Sequence, residues 1–62
     1  MNSREIIYEF IQIGNQTKVS AIDVISGTEV SVITPTNAPR SSQTLVAKNK
    51  LIMILKKNGI IQ

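Results

Sequence analysis

Residues 5–34 read EIIYEFIQIGNQTKVSAIDVISGTEVSVIT. Three runs rich in β-branched residues are separated by two short breaks, each holding one glycine. Val, Ile and Thr are stiff at χ1 and pack well on a pleated surface, so such runs favour strands. Gly14-Asn15 fits a two-residue type II′ turn, because glycine takes a positive φ at the first central position without steric cost. Ser26-Gly27 reads as a second two-residue turn. The spacing predicts strands over 5–13, 16–25 and 28–34 in an antiparallel meander, with Pro35 ending the third by removing a ladder donor.

Two-residue turns also set a register. They place Phe10 opposite Val19, Tyr8 opposite Ala21, and Ala21 opposite Val32. Side chains alternate between faces along a strand. One face therefore collects Ile6, Tyr8, Phe10, Val19, Ala21, Val30 and Val32, interrupted by Asp23 near its end. The other collects Glu5, Ile7, Glu9, Ile11, Lys18, Ser20, Ile22, Val24, Glu29, Ser31 and Ile33.

Residues 35–39, PTNAP, make the connection to a helix expected over 39–57. Pro39 suits a first helical turn, where its missing N–H is not needed. Asn37 is the expected cap by residue type, with Ser41 as the alternative. Asn58-Gly59 is a stop signal, and Lys56 and Lys57 suit the negative end of the helix dipole. At 3.6 residues per turn, Ala47, Leu51, Ile54 and Leu55 share a face, with Leu45 and Ile52 at its margin. That stripe is expected to lie on the apolar side of the sheet. Asn49, Lys50, Lys56 and Lys57 point to water, and so do Val46 and Met53. Residues 1–4 read as a short polar lead-in, frayed from the rest. The fold class is α+β, in the order β-β-β-α.

Sixty-two residues make one small domain. A chain of that size buries only about 60% of the surface its unfolded form exposes. Small domains compensate with disulfides, a metal or oligomerisation. The chain has no Cys and no His, which removes disulfides, thiolate metal sites and the commonest general base. No cofactor, metal or catalytic residue is expected, and no enzyme activity. Glu5 and Glu9 share a strand face, where paired acids serve solubility and discourage edge pairing. Asp23 is placed to bond to the amides and the Ser26 and Thr28 hydroxyls of its turn. Gly14 and Gly27 lack the spacing of a phosphate cradle. Tyr8 and Phe10, the only aromatics, sit on the face the helix needs and read as core rather than as a base-stacking platform. Ser41 and Ser42 have no base beside them in the chain.

The longest unbroken aliphatic run, residues 51–55, is far short of the roughly 20 residues that span a bilayer. No secretory leader is recognised, so a soluble cytoplasmic protein is expected. Charge is uneven. Residues 1–39 set Arg4 and Lys18 against Glu5, Glu9, Asp23 and Glu29, a net of −2. Residues 40–62 hold Arg40, Lys48, Lys50, Lys56 and Lys57 with no acid, a net of +5. Such a basic segment is most simply a solvated helix face. The alternative is phosphate contact, which would make the chain a sequence-independent nucleic-acid-binding module.

Eleven isoleucines are more than one helix on one sheet face can shelter. Ile7, Ile11, Ile13, Ile22, Val24 and Ile33 on the second face, together with Met53, are the expected dimer contacts. Val46, Ile60 and Ile61 are second candidates. The leading expectation is a self-associating, homodimeric module that binds another, unidentified protein.

Tyr8-Glu9-Phe10, Val19-Ser20-Ala21-Ile22-Asp23, Gly27-Thr28-Glu29-Val30-Ser31 and Ala38-Pro39-Arg40, followed by a helix with Lys50-Leu51 and Leu55, carry a resemblance. In these stretches the chain resembles a family of very short alphaproteobacterial proteins of unknown function. The resemblance spans nearly the entire chain, and its most specific part runs from residue 18 to 23 and from 27 to 31. It implies a bacterial cytoplasmic protein and brings no activity, ligand or site residue with it.

Overall fold

The computed structural model describes residues 4–62 and shows three strands and one helix: β1 (Ile6–Ile13), β2 (Gln16–Asp23), β3 (Glu29–Pro35) and α1 (Arg40–Lys57). The sheet is an antiparallel meander in the order β1-β2-β3. Gly14 has a φ of +62°, and no non-glycine residue takes a positive φ among the described residues. That sign pattern over Gly14-Asn15 is the type II′ turn. It pairs Phe10 with Val19 and Tyr8 with Ala21, as the sequence predicts.

The second connection departs from expectation. β2 stops at Asp23 and β3 starts at Glu29, so the loop is residues 24–28 rather than Ser26-Gly27 alone. Asp23 closes it: its N–H donates to the Thr28 carbonyl at 2.8 Å, and its own carbonyl accepts the Gly27 N–H at 2.8 Å. The register moves by two, so Ala21 faces Val30 and Val19 faces Val32. A shift of two keeps every side chain on its expected face. Val24, expected on the second sheet face, lies in the loop instead.

α1 lies on β2 and β3. Its buried residues are Gln43, Ala47, Leu51 and Leu55. A spacing of four drifts by about 40° per step on a 3.6-residue helix, so this row winds from the β3 side toward the β1 side. With Val19, Ala21 and Val30 the three apolar residues of the row make the core, and Ile6, Tyr8, Phe10, Val32, Ile54 and Ile61 pack against it in part. Ile61, expected as a subunit contact, is thus a core neighbour. The polar ends of the core are closed by side chains. Thr17 and Thr36 hydroxyls meet at 2.9 Å at one end, and the Asp23 cluster sits at the other.

Neither Asn37 nor Ser41 caps α1. Pro39 is the N-cap, with no side-chain cap bond, and its carbonyl accepts the Gln43 N–H at 3.0 Å. At the far end the Gly59 N–H donates to the Lys56 carbonyl at 3.0 Å and the Ile60 N–H to the Leu55 carbonyl at 2.9 Å, with Gly59 at φ +74°. That is a complete Schellman motif. Among the described residues, no helix is long and apolar enough to cross a membrane.

Candidate interaction surface

Asp23 is fully buried at the end of β2. Arg4 reaches it with two bonds, Nε to Oδ1 at 3.0 Å and Nη2 to Oδ2 at 2.7 Å. Ser26 adds its N–H at 3.0 Å and its hydroxyl at 2.6 Å, both to Oδ2. The Ser26 and Thr28 hydroxyl oxygens also meet at 2.8 Å. Arg4 above all, and then Ser26, hold the Asp23 carboxyl far below the usual carboxylate range; the same bond raises Arg4. The side-chain turn bonds expected of Asp23 are therefore made with Ser26, while the Thr28 hydroxyl joins only through Ser26. Arg4 is no part of a frayed lead-in; residues 1–3 of that segment lie outside the described residues. The signal was present, since Ile6 pairs with Asp23 and Arg4 follows on the same face two residues earlier. The lone acid and the lone cation of the core face meet.

The hydrogen-bonding edges of the sheet differ from each other. A two-residue hairpin makes Ile13 and Gln16 a hydrogen-bonded pair, and such pairs alternate with non-bonded ones along the ladder. Ile6, Tyr8, Phe10 and Gln12 thus turn their backbone N–H and C=O groups away from β2. No described residue bonds to them. On β3 the outward residues are Glu29, Ser31, Ile33 and Pro35. The Ser31 carbonyl takes Lys50 Nζ at 2.9 Å. Pro35 has no N–H, and its carbonyl takes both Gln43 Nε2 at 3.0 Å and the Ala38 N–H at 3.1 Å. The edge of β3 is thus partly occupied, at Ser31 and Pro35, where that of β1 has no bond from any described residue.

β1 is also uncovered above. Because α1 lies over β2 and β3, a groove of about 440 Å³ runs between it and β1, lined by Arg4, Ile6, Tyr8, Lys48, Ile52 and Leu55. Ile6, Tyr8 and Phe10 are half-buried. Partial burial raises the Tyr8 hydroxyl pKa.

The residues expected to meet in a dimer do not form one patch. Ile7, Ile11, Ile13, Ile22 and Ile33 share the open sheet face. There the rows Ile7-Ile22 and Ile11-Lys18-Ile33 are parted by Glu9, Ser20 and Ser31, whose hydroxyls meet at 3.0 Å. Met53 is exposed on the outward side of α1, across the thickness of the protein, and Val24 is on the loop.

The five cations of the basic segment also diverge. The Arg40 guanidinium lies 3.9 Å above the Phe10 ring centroid, and Lys50 is bonded to Ser31. Lys48 borders the β1 groove, while Lys50 faces β3. Lys56 and Lys57 lie in the last helical turn. Gln43 was not singled out from sequence, although it continues the Ala47-Leu51-Leu55 row one step back. Its Nε2 is satisfied by Pro35, and its buried Oε1 has no partner.

Nothing among curated proteins or solved structures matches the chain. A family model described as a domain of unknown function, DUF6898, matches residues 3–58, the span that includes the Arg4–Asp23 lock, the sheet and all of α1, and the chain belongs to that family.

Proposed function

We propose that this chain is a non-enzymatic protein-interaction module that works by self-association. The observation that carries this reading is the state of β1. Among the described residues its outer backbone edge is unpaired, its core-side row is half-covered, and on the open face Ile7, Ile11 and Ile13 stay 50%, 43% and 71% exposed. A long, apolar edge strand left bare is a template for pairing with another chain, and natural sheets block such edges unless they use them. The core is also small, with six buried apolar residues of which two are alanine. A second copy would add burial that this core lacks.

Sedimentation equilibrium from low to high micromolar concentration tests the reading. A reversible dimer is expected; a monomer over the full range overturns it. A parallel titration with mixed oligonucleotides at two salt concentrations separates it from nucleic-acid binding, which would show tight binding lost steeply with salt.

A further inference from the structure

Resting on that reading, we infer that two copies join through β1 alone, antiparallel, into one continuous six-stranded sheet. Both helices then lie on the same side, with a trough between them. Three observations select this arrangement over a stacking of open faces.

The first is the contrast between the edges. On β3 two of the outward carbonyls, those of Ser31 and Pro35, are taken by Lys50 and Gln43 and Pro35 has no N–H, whereas on β1 no described residue bonds to any outward group of Ile6, Tyr8, Phe10 or Gln12. The second is the open face itself. Each copy's open face holds Glu9 and Glu29 against Lys18 alone, so stacking two such faces would bury a surplus of acid without a matching cation.

The third is the position of α1. A helix about 10 Å across covers about two strands spaced roughly 4.8 Å apart. The strands left uncovered in two copies are the two β1 strands, which become neighbours at the centre. A foreign strand would satisfy the edge but bring no cover for Ile6, Tyr8 and Phe10. A second copy brings another α1 to the far bank. On this flank of α1 Lys48 and Ile52 line the groove, and Leu45, on the same side by helical spacing, is 56% exposed.

Charge narrows the register. Hydrogen bonding requires that outward residues meet outward residues, so even-numbered residues of β1 pair with even-numbered ones. Centring on Glu9 would set it against Glu9 of the second copy in a close, non-bonded pair, which is repulsive. Centring on Tyr8 or on Phe10 sets Glu9 against Ile7 or Ile11 of the second copy.

The chain has no Cys, which makes single-cysteine cross-linking direct. Tyr8→Cys or Phe10→Cys should form a disulfide-linked dimer under mild oxidation, and Ile33→Cys should not. Tyr8→Pro removes an outward N–H and spares the ladder to β2, while Tyr8→Ala removes the same ring and keeps that N–H. Tyr8→Pro should raise the dimer dissociation constant over that of Tyr8→Ala by roughly tenfold or more, with helical circular dichroism retained in both. A wild-type dimer that cross-links through Ile33→Cys and not through β1, or that Ile33→Lys dissociates while Tyr8→Pro does not, overturns the edge arrangement but leaves self-association standing. A monomeric wild-type chain overturns both.

Discussion

Asp23 ends β2 with its carboxylate buried and answered by Arg4 and Ser26. Its folded-state pKa is lowered, so the stabilisation it supplies is complete above the unfolded-state value of about 3.9 and is lost as pH falls from there through the folded-state value. Urea midpoints measured from pH 6 down to pH 2 should decline in the wild type. In Asp23→Asn that acid-side decline should flatten, from a lower starting midpoint at pH 6. Gln43 poses the opposite case, a buried acceptor with no partner. Pro35 keeps the Ala38 N–H when Gln43 is replaced. Gln43→Leu should therefore stay within about 1 kcal/mol of the wild type in urea, or exceed it, because the orphaned Oε1 leaves with the side chain. Asp23 was readable as a turn residue from its place before Ser26-Gly27. Its partner was not, because terminal polar residues look alike in sequence whether they are tied down or free.

Among the elements, α1 was the easiest to read and β2 the hardest. The apolar spacing and the Asn58-Gly59 stop place the helix end correctly, and Gly59 at φ +74° completes the Schellman pair. A Cβ at Gly59 would touch nothing within 4 Å, so only backbone strain opposes it. Gly59→Ala should cost about 1 kcal/mol, seen as a lower urea midpoint at unchanged slope. Leu51, fully buried at the middle of the helix row, carries far more. Leu51→Ala should cost about 2–5 kcal/mol, which rivals the 3–5 kcal/mol a core this small supplies; loss of the cooperative thermal transition is the expected result. The strand ends at Asp23 rather than residue 25 because a carboxylate and two backbone bonds close a five-residue loop there. Val24 and Ile25 look like strand residues and are not, since tertiary bonding to Asp23 overrides their β propensity.

Taken together, the two layers leave β1 underserved. One helix is too narrow for three strands, and it sits toward β3, where Lys50 and Gln43 tie it to that edge. If a second copy completes β1, stability must depend on concentration by mass action. The thermal midpoint should rise over a hundredfold increase in protein concentration, measured by calorimetry, and the Tyr8→Pro variant should show a smaller rise than Tyr8→Ala. The dimer contacts read from sequence captured the excess of apolar side chains. They mixed three separate surfaces, because alternation along a strand says which residues share a face but not which face a helix leaves bare.

What the amino-acid order settled unaided was local: three strands, the first turn and its register, the inward and outward faces, the helix and its C-terminal stop. These follow from side-chain branching, glycine's freedom at positive φ and the periods of two and 3.6, all of which act between near neighbours. Three-dimensional packing settled the remainder: the long loop after Asp23, the pairing of Arg4 with that buried charge, and the lateral placement of α1 over β2 and β3. Those depend on groups brought together from distant points in the chain, where a buried charge must find a partner and a backbone edge is either capped or left open.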